Sequence, residues 1–211
     1  MMSSSARRIG ALAVLAAAAL LLAACAPSSL VQQQTNPEYA GKKVFKRILV
    51  VGGAKDDLAR RVFEDDAVAR LKQRGIEGVP GYTVLPKPGP VGEAQIRKVV
   101  AQTGVDGVLM SRVIAVDAAA LKTGGYTVFV GVGYGGFYGF YDGFWDAVNV
   151  PVTTTSGPTT TVSDTRLFDT RNGAMVWSGM VDTEDRGRSL SSNLQQYLGV
   201  VFDAMIQAGV I

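Results

Sequence analysis

The spacing of apolar and polar positions marks out ordered elements from residue 44 onward. Ile48-Leu49-Val50-Val51, inside Phe45 to Val51 and bounded by Gly52-Gly53, is a short β-branched run that suits a strand covered on both faces. From Asp56 to Arg74, Leu58, Val62, Phe63, Ala67, Val68 and Leu71 fall on one stripe of a helix. Asp56 and Asp57 stand at its start, Arg70, Lys72 and Arg74 at its end, and Gly75 just beyond, which matches the helix dipole and a left-handed cap. Val79 to Leu85, broken by Pro80 and Gly81, predicts an edge strand. Glu93 to Thr103 carries Ala94, Ile96, Val99 and Val100 at helical spacing before the stop at Gly104. Gly107 to Val116 predicts a third strand. Two successive strand-helix-strand passages with right-handed crossovers predict the strand order 2-1-3, with one helix on each face.

Further on, Thr165 to Phe168 and Met175 to Val181 predict a hairpin about Thr170-Arg171-Asn172-Gly173, where Asn-Gly can supply the positive φ angles of a tight turn. Ser189 to Ile206 predicts a last helix, with Leu190, Leu194, Leu198, Val201, Phe202 and Met205 as its buried stripe and Ser189 as its cap. Together these give an α/β fold: a mixed, partly parallel sheet of about five strands with helices on both faces. It forms a single domain over residues 44–211, with an insertion rich in glycine and aromatic residues at 118–160.

The insertion is the unusual stretch. Tyr126 to Trp145 holds nine of the seventeen aromatics in the chain, interleaved with glycines. Tyr126, Val128, Val130, Val132 and Tyr134 alternate with mostly small residues over nine positions, the lower end of the length that a tilted membrane strand requires. One reading is an arm that enters the membrane or packs on neighbouring subunits, with these five residues and Phe137, Phe140, Phe144 and Trp145 as its contacts. The other is a mobile surface loop or an ordinary extension of the sheet, favoured by Pro151 and the many glycines.

The N-terminus has a different character. Met1 to Arg8 is serine-rich and carries Arg7 and Arg8; Ile9 to Ala24 is almost entirely Ala, Leu and Val, a few residues short of the roughly 20 that span a bilayer. This is the layout of a secretory signal, here residues 1–24. Leu22-Ala23-Ala24-Cys25 resembles the lipobox of bacterial lipoproteins. That resemblance implies cleavage between Ala24 and Cys25, a diacylglycerol thioether on the Cys25 sulfur and acylation of the new amine. Each buried methylene contributes about 0.8 kcal/mol and a single chain binds only reversibly, so two or three chains on one residue make a stable anchor. Cys25 is the sole cysteine, which excludes a disulfide within the chain. By likeness to enteric lipoproteins, Ala26 in place of aspartate implies sorting to the outer membrane, with retention at the inner membrane as the alternative. Residues 25–43, polar and holding Pro27 and Pro37, are expected to be the lipidated cysteine and a flexible tether.

Composition narrows the chemistry. The chain has 21 Lys+Arg against 18 Asp+Glu, and Arg7 and Arg8 leave with the signal, so the mature part is close to neutral. No basic face for nucleic acid is evident. There is no histidine, the commonest general base and zinc ligand. Gly52-Gly53-Ala54-Lys55 lacks the spacing of a phosphate loop, and Asp56-Asp57 would repel a phosphate; it reads as a tight strand-to-helix turn. Asp65-Asp66 and Glu184-Asp185 read as solvated carboxylates beside arginines. No catalytic residue, cofactor or metal site is expected.

The order of elements, with Arg47-Ile48-Leu49-Val50-Val51, Thr103-Gly104-Val105-Asp106-Gly107-Val108-Leu109 and the segment Arg166 to Gly179, resembles the small α/β domains of periplasmic lipoproteins. These are the families of the curli secretion channel subunit, of PelC and of the TolB amino-terminal domain. The resemblance covers most of residues 44–208 and implies a non-enzymatic structural or accessory role at the periplasmic face of the outer membrane. Its partners would be the membrane, unidentified envelope proteins and further copies of the chain. The alternatives are a ring-forming subunit of a secretion or export channel and, last, a small-ligand binder or enzyme.

Overall fold

The computed structural model describes residues 28–85, 87–116, 136–145 and 159–211. Among them β1 (Ser28–Thr35), β2 (Arg47–Gly53), β3 (Glu77–Pro80), β4 (Gly107–Val116), β5 (Thr159–Asp169) and β6 (Met175–Asp185) form one sheet in the order β1-β6-β5-β4-β2-β3. β2 lies parallel to both β3 and β4, and the other pairs are antiparallel. The 2-1-3 order expected for the first crossovers is therefore the β3-β2-β4 part of a larger mixed sheet. Helices α1 (Asp57–Gln73) and α5 (Leu190–Gln207) pack with Ile48, Val50, Leu109, Leu167 and Trp177 in one core. The opposite core joins α3 (Glu93–Thr103) and α4 (Gly136–Phe144) to Leu49, Val51, Val108, Met110 and Phe168.

Local signals account for the helix ends. The Asp56 side chain accepts from the Ala59 amide at 2.7 Å, and Ser189 caps α5 by accepting from the Ser192 amide. Gly104 ends α3 in the left-handed conformation. No helix among the described residues is long and apolar enough to cross a membrane.

Three expectations change. The stretch expected to be a flexible tether contains β1, which pairs with β6 from Ser28 opposite Thr183 to Thr35 opposite Trp177. Backbone pairing with a long neighbouring strand holds it, not an apolar pattern of its own. The strand expected over Val79 to Leu85 stops at Pro80, and Gly81–Val84 make one helical turn, α2. Glu64 enforces this by accepting the Tyr82 amide at 2.6 Å, while the Thr83 hydroxyl donates to the Pro80 carbonyl. The hairpin strands are longer than expected, since the threonine-rich tract up to Thr161 opens β5, and in the connecting turn Gly173 alone takes a positive φ, 74°.

The insertion holds the largest difference. Tyr126 to Tyr134 lie outside the described residues. Phe137, Phe140, Phe144 and Trp145, expected at a membrane or subunit surface, are buried in the domain. Phe137, Phe140, Tyr141 and Phe144 stand at i, i+3, i+4 and i+7, so α4 turns one aromatic stripe onto the sheet. Gly139 and Gly143 each cost about 1 kcal/mol relative to alanine in a helix interior, so tertiary contacts must carry α4. Phe137 and Phe140 pack on Phe168 with ring centroids 5.8 and 5.2 Å apart, and the Arg97 guanidinium sits 3.7 Å over the Tyr138 ring. The first residue has to be glycine. Gly136 has φ 67°, a Cβ there would meet the Gly173 carbonyl oxygen at 2.6 Å, and the Phe137 amide donates to that same oxygen at 2.8 Å.

Burial of this stripe makes Phe137→Ala expensive. The variant should lose about 3–5 kcal/mol of unfolding free energy in a urea titration. A loss under about 0.5 kcal/mol, the cost at a surface position, would return these aromatics to the outside of the protein.

Candidate functional site

Strand directions bring several elements to one end of the domain. The N-terminus of β1, the C-termini of β2, β4 and β6, and the first turns of α1 and α5 all lie there. It is also a point where the chain changes faces: β2 connects to β3 through α1 on one face, and β3 to β4 through α3 on the other. Crevices for ligands in open α/β sheets form at the carboxyl ends of strands at such switch points.

A cleft of about 310 Å³ opens there, between the first turns of α1 and α5 and over the ends of β2 and β4. Leu190 and Leu194 of α5, Phe63 of α1 and Val113 of β4 give it apolar walls. Farther down, Phe63, Ala67 and Leu71 pack with Leu198, Val201 and Phe202, so the cleft is the unfilled mouth of this core.

Its floor carries a hydroxyl cluster. The Ser111 and Tyr197 hydroxyls are 2.6 Å apart, Thr165 donates to Ser111 at 3.1 Å, and Thr165 also makes a short bond with Tyr197. Burial pushes the Tyr197 phenol up to about 12, against the hydrogen bonds from Ser111 and Thr165, so it stays neutral. With these hydroxyls engaged with one another and no base among their recorded partners, the cluster has no activated nucleophile.

Buried charges brace this end. Glu64 accepts the Gly52 amide at 3.0 Å and the Tyr82 amide, and pairs with Arg60 at 3.0 Å; neither side chain is more than 1 % exposed. Desolvation pushes the Glu64 carboxyl above its usual range, opposed by the Gly52 amide and by Arg60. Arg60 also donates to the Leu85 carbonyl at 2.7 Å, tying α1 to the loop after α2. On the opposite face Arg112 donates to the Gly143 and Phe144 carbonyls at the end of α4, lies 3.7 Å from Asp164, and faces Phe140 and Phe144. Asp164 also holds Arg166 at 3.0 Å.

The sequence-derived candidates separate as follows. Ala24, Cys25, Tyr126, Val128, Val130, Val132 and Tyr134 lie outside the described residues, and the four aromatics from Phe137 to Trp145 are core residues. Gly52-Gly53-Ala54-Lys55 is a strand-to-helix turn in which a Cβ on Gly52 would meet Phe63 at 2.9 Å and one on Gly53 would meet Phe144 at 2.6 Å. Asp65 is exposed and accepts from the Tyr82 hydroxyl, Glu184 pairs with Arg186 at 2.7 Å, and Asp185 accepts from the Gly187 amide. No group of residues that could hold a metal ion is found among the described residues.

The hydroxyl cluster and the Arg60–Glu64 pair escaped sequence reasoning. Ser111 directly after Val108-Leu109-Met110, and Tyr197 just before Leu198 on the last helix stripe, were the available signals.

The phenol titrates near 10 when unfolded and near 12 in the fold, so the folded protein binds the extra proton between those values. Stability owed to Tyr197 is therefore complete below about pH 10 and declines from pH 10 to 12. Melting curves of Tyr197→Phe should show a flatter fall than wild type over that interval, and parallel curves would contradict the assignment.

No protein family matches the chain, and no curated protein does. Among solved structures it is similar in fold to PelC from Paraburkholderia phytofirmans, a dodecamer. A PelC variant aligns at 17 % identity over 82 % of this chain and 95 % of that one, with a TM-score of 0.44. A second PelC dodecamer aligns at 15 % identity over 82 % and 96 %, with a TM-score of 0.41. A PDZ domain protein from Parabacteroides distasonis aligns at 10 % identity over 86 % of this chain and 35 % of that one, with a TM-score of 0.39.

Proposed function

We propose that the protein is a lipid-anchored envelope lipoprotein of the outer membrane, facing the periplasm, that acts through protein contacts and not through catalysis. Leu22-Ala23-Ala24-Cys25, closing an apolar leader on the sole cysteine, is the observation that carries this reading. The position of β1 sharpens it. Only Ala26 and Pro27 separate Cys25 from Ser28, and an extended chain spans at most about 3.6 Å per residue, so the anchor sits within about 11 Å of the sheet. The globular part would ride directly on the lipid surface.

Two features favour contact over chemistry. The hydroxyls at the open end are occupied with each other, and the nearby carboxylates are paired with arginines or amides. At the far side of the sheet β1 is an edge strand of eight residues, and such an edge offers backbone groups to a further strand.

The test is Cys25→Ser in cells labelled with palmitate. The parent should carry the label and fractionate with the envelope, and the variant should lose the label. A variant that incorporates as much palmitate as the parent removes the anchor.

A further inference from the structure

We propose that the cleft between the first turns of α1 and α5 takes an acyl chain. The part of the inference that names a membrane source rests on the anchoring reading above; the cleft's chemistry does not.

Most polar groups of its described lining residues are engaged: Ser111 with Tyr197, Thr183 with Ser28 at 3.0 Å, Asp185 with the Gly187 amide, and Arg60 with Glu64 and Leu85, while Arg60 Nη1 and Asn193 Oδ1 are buried without a partner. Arg112 is committed to the α4 carbonyls and Asp164. The Tyr197 phenol is neutral. Methylenes gain about 0.8 kcal/mol each against the apolar walls of Phe63, Val113, Leu190 and Leu194, and the few polar atoms left over can meet at most one small head group. The volume, about 310 Å³, is at the lower end of ligand pockets and suits a narrow chain.

Location selects the acyl chain among apolar groups. Leu58, Val113 and Leu190 are 67, 37 and 47 % exposed, and they are three of the four large exposed hydrophobics among the described residues. All three lie at this end: Leu58 in the first turn of α1, Leu190 in the first turn of α5, and Val113 on β4 just beyond the level of Gly53. The chain leading to Cys25 leaves from the same end, because Thr183, whose hydroxyl bonds Ser28, lines the cleft. The mouth thus has Val113 and Leu190 on its rim, and Ser28, bonded to the lining residue Thr183, stands about 11 Å or less along the chain from the residue proposed to carry the lipid. Either the anchor's own acyl chain or that of a neighbouring phospholipid has the required chemistry.

The soluble chain beginning at residue 26 contains every described element and permits a direct measurement with cis-parinaric acid, a fluorescent polyene fatty acid. Saturable fluorescence enhancement at micromolar probe is expected. Ala59→Phe, which extends a side chain from α1 into the cleft, should weaken binding at least tenfold. Leu190→Asp sets a charge at the mouth in a helix first turn, where an acidic residue is well tolerated, and should weaken it at least fivefold even if the first variant folds poorly. No saturable binding, or binding indifferent to both variants, overturns the proposal and leaves the cleft to an apolar side chain of a protein partner.

For the source, cells are fed a diazirine-bearing fatty acid and irradiated, and the intact lipoprotein is mapped by mass spectrometry. Adducts on the Leu190 to Tyr197 or Ser111 to Val113 peptides support the proposal; a Cys25 peptide as the adduct identifies the anchor itself, and a phospholipid identifies the bilayer. Adducts confined to other surfaces overturn it. A Cys25 peptide without acyl mass would refute the anchoring reading alone, while the soluble-chain result would stand.

Discussion

The structure depends on burying β2 from both sides. Ile48, Leu49, Val50 and Val51 are all inaccessible to solvent, two on each face, and a strand in that position needs a packed layer above and below. α1 and α5 supply one layer, α3 and α4 the other. The two glycines that end the strand follow from the same constraint. Gly52 gives room to Phe63 on the first face, and Gly53 to Phe144 on the second. What resembles the start of a phosphate loop is a place where two helices come too close for side chains.

Covering both faces creates a problem at the strand ends, where backbone groups leave the ladder but remain buried. The chain meets it with charge. Glu64 collects the Gly52 and Tyr82 amides and Arg60 reaches the Leu85 carbonyl, so one buried pair fixes the exit of β2, the start of α2 and the loop beyond. Arg112 does the equivalent on the other face by donating to the last carbonyls of α4, the end of a helix that favours a cation. A buried ion pair adds little net stability over well-packed apolar residues, yet removing one partner costs about 3–5 kcal/mol. These pairs therefore act mainly as positioning devices: they decide where α2 and α4 sit.

The same physics separates what the sequence could reveal from what it could not. α1, α3 and α5 each carry an apolar stripe with caps or stop signals in the adjoining residues, and the doubly buried run of β2 is local too. β1 has no such pattern: Ser28-Ser29-Leu30-Val31-Gln32-Gln33-Gln34-Thr35 becomes a strand only because β6, about 150 residues later, offers its edge. α4 had its helical spacing in Phe137, Phe140, Tyr141 and Phe144, but its glycines argue against a helix locally, and only Phe168, Gly173, Arg97 and Arg112 overcome that. The cleft was hidden for the same reason. Ser111, Thr165 and Tyr197 sit on three elements, and no spacing rule joins them.

Where β1 begins also changes what an anchor would do. A tether of some eighteen residues would let the domain turn freely, whereas two residues between Cys25 and the sheet would hold one end against the lipid. That end presents the first turns of α1 and α5, whose dipoles carry partial positive charge. Asp56 and Asp57 offset it on α1, and beside α5 Glu184 and Asp185 balance Arg186 and Arg188. With the exposed Leu58, Val113 and Leu190 at that end, apolar contact rather than charge would set how the domain meets the lipid, while β1 remains an edge strand of the sheet.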